Sequence, residues 1–308
     1  MRRARTRAPA PSLSQGAPNR PRPVSDGDFL LFQALVSREA GIWLAPSKKA
    51  LLQGRLERRL GELGVTSWRD YHALVIISRS ERDLLLDAIT TSETHFFREA
   101  GHWEFLAGRL LPAWRAQAEE GLRPRRVRAW SAGCSTGEEP FSLAMVLLDV
   151  LPQGWELEVI ATDLSSSALE QARRAEWPAD RASKIPPAYL ERFMLGRAGD
   201  QAGTIQAGPA LRALVRFERL NLAGSAWPNL GAYDLVMCRN VLMYFDQQTR
   251  DRVLARLIDR LAPEGHLFLG HAESLPGGTS RVRALQPTVY ALRPPGGLDP
   301  LARAPSRS

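Results

Sequence analysis

The chain has 308 residues and is 44% apolar, enough for one large or two modest domains with a real core. No run of eighteen apolar residues reads as a membrane span, and the arginine-rich start lacks the apolar stretch of a secretory signal. The net charge of +8 sits in the ends: residues 1–24 carry six arginines and no acid, residues 293–308 carry three arginines against Asp299, and the body between sums to zero, which argues against a nucleic-acid-binding fold.

In chain order, residues 1–24 read as a disordered Arg/Pro-rich tail. Only helices follow, over about residues 25–91. "DFLLFQALVSREAG" and "PSKKALLQGRLERRLGELG" place apolar residues three and four apart, Gly41 and Gly64 read as helix ends, and Ser67 and Ser80 read as caps of the next two helices. The second helix carries Lys48, Lys49, Arg55, Arg58 and Arg59, either a solvated face or a docking face for an acidic partner. After "TTSETHFFREAGHWEFL" the texture changes. The strand candidates "VRAWSA", "LEVIATD", "VRFERLNL", "YDLVMC", "GHLFLG" and "TVYAL" alternate with helical runs, which predicts an α/β fold with a mostly parallel sheet over residues 92–292. A second disordered tail, 293–308, closes the chain. Cys134 and Cys238, with no signal peptide, read as small buried thiols of a cytoplasmic protein, not a disulfide or a metal cage.

Unusual residues gather at strand ends, where open sheets of this kind bind ligands. In "WSAGCSTGEEPFS" the glycines are Gly133 and Gly137, followed by Glu138 and Glu139. Acids suit a helix N-terminus but repel a phosphate placed there, and no Walker lysine is present, so the loop suits an adenosyl ligand bearing positive charge, such as S-adenosylmethionine. A plain strand–helix turn remains the alternative. Asp163, closing a strand, suits ribose hydroxyls, or equally caps the following helix with Ser165. Asn221 and Leu222 could flank an adenine. Arg239, Asn240 and Tyr244 follow a buried strand and read as site residues, with packing as the alternative for Tyr244.

Together, "TTSETHFFRE", "WSAGCSTGEEPFS", "ATDLSSSALEQAR", "LNL" and "CRNVLMYF", in this order and behind a helical leader, resemble the bacterial chemotaxis receptor methyltransferases of the CheR type over residues 28–292. The resemblance implies a small helical receptor-docking domain ahead of a Rossmann-like class I methyltransferase domain. It implies methyl transfer from S-adenosylmethionine to glutamates on the cytoplasmic helical bundle of chemoreceptors. It also implies that Ser92, Thr94 and Arg98 reach the cofactor, that Glu138 binds its ammonium and Asp163 its ribose, that Asn221 and Leu222 flank the adenine, and that Arg239 and Asn240 line the rest. Arg98 and Tyr244 would face the reacting centre, and no metal is implied. Ser92 stands where the family often has Asn, His95 where a small residue is common, and Cys134 where Ala is frequent; His95 reads as packing or surface. The long connection 189–217 is where the family can form a small β-subdomain. Alternative functions are methylation of another protein target and a non-catalytic adaptor that retains the fold.

Overall fold

The computed structural model describes residues 22–90, 93–196, 203–228, 231–275 and 280–293; Ser92 and nearly all of the two expected tails lie outside the described residues. Four helices form the N-terminal unit: α1 (Asp26–Ala40), α2 (Lys49–Leu63), α3 (Trp68–Ile77) and α4 (Arg79–Ile89). Their apolar stripes close on one core around Phe32, Val36, Leu56, Leu60, Tyr71 and Leu85. Gly41 and Gly64 end α1 and α2 in the left-handed conformation, and Ser67 caps α3. The cap of α4 is Ser78 and not Ser80, because the helix starts one turn-position earlier, at Arg79. Residues 22–24, at the end of the expected tail, are docked: Val24 is buried, and Trp68 Nε1 donates to the Arg22 carbonyl.

Next, α5 (Ala100–Phe105) runs through a π turn at Leu106–Leu110 into α6 (Leu111–Glu119). The loosened turn absorbs the N–H that Pro112 lacks. Beyond it lie β1 (Arg126–Ala132), α7 (Glu138–Val150), β2 (Glu156–Asp163) and α8 (Ser166–Arg174). These are followed by β3 (Glu176–Pro178), α9 (Pro187–Phe193), β4 (Met194–Leu195), β5 (Thr204–Ala207), α10 (Pro209–Leu214) and β6 (Val215–Arg219). The chain ends with β7 (Tyr233–Cys238), α11 (Gln247–Asp259), β8 (Leu261–Leu269), β9 (Val282–Gln286) and β10 (Val289–Leu292).

The main sheet has seven strands in the order β6-β2-β1-β7-β8-β10-β9, parallel except for β10 against β8 and β9. Counted within this sheet the order is 3-2-1-4-5-7-6, a Rossmann-like winding that reverses between β1 and β7 and so opens a crevice there. The central strands are buried over their carboxyl halves because helices cover both faces. A separate antiparallel sheet, β3-β5-β4, takes its first strand from ahead of the 189–217 interval, and β6, at that interval's end, belongs to the main sheet.

The helical unit is fastened to the sheet unit along one seam. Asp83 pairs with Arg219, and Asp87 accepts from the Ser166 and Ser167 N–H groups that open α8. Trp43 N donates to the Tyr244 carbonyl at 2.8 Å beside a bridge between Ile42 and Phe245. Gly41 is required in this seam: its φ is +68°, and a Cβ there would lie 2.4 Å from the Ala223 Cβ.

Candidate active site

A cavity of about 270 Å³ opens at the carboxyl ends of β1, β2, β6 and β7, at the winding reversal. Four segments of the sheet unit supply its walls: Gly133–Ser135 after β1, Asp163 and Leu164 at the end of β2, Leu220–Leu222 after β6, and Arg239–Phe245 after β7. The helical unit closes it with Ala40, Ile42, Ile89 and Thr90, and the strap between the units adds Glu93, Thr94, His95 and Arg98. Both units therefore build the one cavity.

Gly133 has φ +87°, and a Cβ there would meet Val241 Cγ2 at 2.3 Å, so glycine lets the two central loops touch. Asp163 joins the loops after β1 and β2 by accepting from Ser135 N at 2.8 Å and Ser165 N at 2.9 Å, while Ser165 itself caps α8. The cap of α8 is therefore Ser165, and Asp163 stands on the cavity wall. A carboxylate has about four lone-pair sites, so Asp163 retains capacity for two hydroxyls. Burial pushes its carboxyl above the usual aspartate range, against the Ser165 and Ser135 N–H groups.

Of the two acids that open α7, the cavity meets Glu139 and not Glu138, which was expected there. Glu138 is 2% exposed, accepts from Thr136 Oγ1 at 2.6 Å and is not on the cavity wall; Glu139 is on it. Neighbouring helix residues project about 100° apart, so the first turn of α7 can turn only one of the pair inward. Glu139 accepts from Ser131 Oγ at 2.7 Å and pairs with Arg239 at 3.2 Å, yet burial still pushes its carboxyl upward.

Arg239 is on the wall, but its guanidinium is engaged by Glu139, by Glu99 at 3.0 Å and by the Arg98 carbonyl. It fixes the strap to the sheet edge rather than standing free. Asn240 has φ +60° and directs Nδ2 at Glu99 Oε1, 3.4 Å away. Asn221 is likewise partly spent: Nδ2 donates to the Glu39 carbonyl at the end of α1 at 2.7 Å, and Oδ1 accepts from Ala223 N. Leu222 is buried on the wall. Thr94 stands on the wall, and its carbonyl accepts from Arg181 at 2.7 Å. Arg98 lines the cavity with one guanidinium N–H on the Glu93 carbonyl, and Tyr244 lines it from the loop after β7. His95, expected as packing or surface, also stands on the wall. Both cysteines are buried, and burial, with nearby carboxylates second, pushes their thiols well up.

Four of the five basic residues read on the second helix have partners, Arg58 among them through Glu62 at 3.6 Å. Arg55 Nη1 donates to the carbonyls of Ala88, Ile89 and Thr90, capping α4, and Arg59 is held by Glu81 and Glu62. Lys49 reaches Asp26, while Lys48 and Arg58 are exposed. The correction follows from helix geometry: positions 55 and 59 are one turn apart on the side facing α4.

Glu273 has no counterpart among the expected site residues. This buried carboxylate accepts from Asn240 N, Gly270 N, Leu242 N and Met243 N, at 2.7 to 3.3 Å, and so shapes the loop that carries Tyr244. Its only sequence signal is an acid two residues after "GHLFLGH", at a strand's carboxyl end.

The lining suits S-adenosylmethionine: Asp163, Glu139 and Glu93 are set against a cationic ligand, apolar Leu222, Leu220 and Val241 against a flat ring, and no glycine cradle of phosphate type is present on the wall. A family model described as the SAM-binding domain of CheR methyltransferases matches residues 92–291, and one described as their all-alpha domain matches residues 27–90. The chain is 37% identical over 265 residues to chemotaxis protein methyltransferase 2 of Pseudomonas aeruginosa, covering 86% of this chain and 92% of that protein. It is 36% identical over 274 residues to the chemotaxis protein methyltransferase of Escherichia coli, covering 87% and 92%. For that of Borreliella burgdorferi the identity is 33% over 263 residues, covering 83% and 90%. With a cofactor cavity at the switch point and both family regions in place, the chain belongs to the CheR methyltransferase family, whose members use S-adenosylmethionine.

Proposed function

We propose that this protein methylates glutamate side chains on the cytoplasmic helical bundle of chemoreceptors, forming glutamyl methyl esters, and that it works in the cytoplasm. The observation that carries the reading is the placement of Arg98 and Tyr244 on the wall of an acid-lined cofactor cavity that the helical unit helps to close. Among the described residues no helix is long and apolar enough to cross a membrane. The relatives' names supply the chemotaxis setting.

In this reading Asp163 holds the ribose, Glu139 replaces Glu138 as the acid nearest the cationic end, and Leu222 packs on the adenine. Thr94 belongs to the strap over the cofactor, while Asn221, Arg239 and Asn240 hold the walls in register. S-adenosylmethionine, when bound, supplies an electrophilic methyl on a sulfonium. A glutamate carboxylate is ionised at neutral pH, so the chain has no proton to remove before transfer. Its work is orientation and exclusion of water, which together can be worth roughly 7–11 kcal/mol of a barrier. Arg98 grips one carboxylate oxygen and leaves the other free, and Tyr244 packs beside the reacting centre. The residue span 25–91 docks the receptor, with Lys48 and Arg58 as its exposed cations, and residues 92–292 carry the chemistry.

Replacing Arg98 by Ala should lower kcat on a receptor cytoplasmic fragment by about 10- to 100-fold, the weight of one charge-assisted hydrogen bond of ~1.5–3 kcal/mol, while S-adenosylhomocysteine binding measured by calorimetry stays within about threefold. Near-normal methylation by this variant would overturn the assignment.

A further inference from the structure

We propose that Glu99, His102 and His271 form a binding site for one divalent transition-metal ion of the Zn²⁺ class, joined to the cofactor cavity through Arg239 and Asn240. The site rests on a buried imidazole nitrogen that has no partner and faces a carboxylate oxygen. His102 is 1% exposed, and its Nε2 lies 2.8 Å from Thr288 Oγ1. That hydroxyl donates onward to the Pro287 carbonyl, so it accepts from His102, which puts the imidazole proton on Nε2. Nδ1 is then a bare lone pair. It is buried, has no hydrogen-bond partner, and points at Glu99 Oε2, 3.4 Å away. Arg239 pairs with that oxygen at 3.0 Å, but the Nδ1 lone pair beside it is left without a donor or a cation of its own.

The third ligand comes from the loop after β8. His271 Nε2 is 3.8 Å from Glu99 Oε2, its ring stands edge-on to that of His102 with centroids 5.4 Å apart, and the three ligand atoms lie within 4.8 Å of one another. Ligands ~2.0–2.2 Å from one ion at tetrahedral angles are about 3.3–3.6 Å apart, so small side-chain shifts close the set. Two imidazoles and one carboxylate select a borderline ion such as Zn²⁺ over Mg²⁺ or Ca²⁺. The outer contacts are those of a metal site as well: Thr288 fixes the His102 tautomer, and Arg239 and the His271 N–H steady Glu99. Arg239 is the opposing charge, and Glu99 serves both because a carboxylate oxygen can bridge a guanidinium and a metal. A cavity bordered by His102, His271, Glu104 and Gln286 gives access and room for water in the fourth position. Glu99 itself has φ +61°, a strained backbone that aims its side chain into this cluster.

The test is titration of the full-length, tag-free protein with Co²⁺, followed by displacement with Zn²⁺. Wild type should take up one equivalent with the visible bands of a four-coordinate site, and Zn²⁺ should abolish them. His271→Ala removes an exposed ligand and keeps its backbone N–H, so it should still bind S-adenosylhomocysteine while losing at least tenfold in metal affinity. His72→Ala, outside the cluster, should titrate like wild type. Equal metal binding by His271→Ala and wild type, or no saturable single equivalent in wild type, would overturn the proposal.

Discussion

Burial pushes the Asp163 carboxyl above the usual aspartate range even though the Ser165 and Ser135 N–H groups stabilise its charge. Only the ionised form accepts from both ribose hydroxyls, so cofactor affinity should weaken as the pH falls and begin to do so above the pH of about 4 at which an ordinary aspartate titrates. Calorimetry with S-adenosylhomocysteine across pH 7 to 4.5 checks this, and Asp163→Ala should lower affinity at neutral pH by at least tenfold. Side chains also show what the sequence conceals. Glu138 and Glu139 are equivalent as letters, and only the phase of α7 tells which one meets the cavity. Arg55 and Arg59 look like a charged face until the end of α4 and Glu81 are seen to claim them. Exchanging Lys48 and Arg58 for Glu should therefore raise KM for a receptor fragment without lowering Tm. Arg55→Glu should instead lower Tm, because three terminal carbonyls of α4 lose their donor.

Among the elements, the loop from Arg239 to Phe245 is the most heavily constrained. Glu273 alone accepts from four backbone N–H groups there and at Gly270. Glu273→Gln keeps the shape but replaces one acceptor oxygen by a donor, leaving N–H groups facing N–H. At ~1–3 kcal/mol for each buried group left unpaired, stability should drop by at least that much, and methyl transfer should fall with it. Chemical denaturation alongside the transfer assay measures both. Most elements were legible because their period was plain: α1 to α4 repeat every three or four residues, and β2, β7 and β8 carry the short apolar runs "VIA", "LVMC" and "LFL" toward their buried ends. The stretch α5–α6 was not read although Trp103, Leu106, Leu110 and Trp114 keep helical spacing, because Pro112 interrupts it. β9 ("VRALQ") and β3 ("EWP") are short edge strands whose composition does not separate strand from helix. The cluster of Glu99, His102 and His271 was invisible for another reason: 172 positions separate Glu99 from His271, and only the folded chain brings them together.

For the molecule as a whole, the seam between the helical and sheet units decides both folding and function, since the cavity belongs to both. Gly41→Ala places a Cβ 2.4 Å from that of Ala223 in a backbone conformation that disfavours it. It should open the seam, weaken cofactor binding and lower Tm together, whereas a core truncation such as Leu56→Ala, off the cavity wall, should cost about 2–5 kcal/mol of stability with less effect on affinity. Acid should unfold the protein for a global reason as well. Burial pushes His102 to about 4 and His266 to about 3, so the folded state releases protons that the unfolded chain binds near the ordinary histidine value of about 6.5. The unfolded state then holds more protons between those limits, and stability falls as the pH drops from about 6.5 toward 4. A His266→Phe variant should flatten that slope in denaturation curves taken at several pH values.

The central claim is the bond that is made. Wild-type protein, labelled S-adenosylmethionine and a chemoreceptor cytoplasmic fragment should give a protein-bound methyl group that mild alkali releases as methanol, as a carboxyl ester must, and the label should vanish when the acceptor glutamates are changed to alanine. Label that survives alkali, or no transfer to the fragment from a protein that binds the cofactor, would contradict the account.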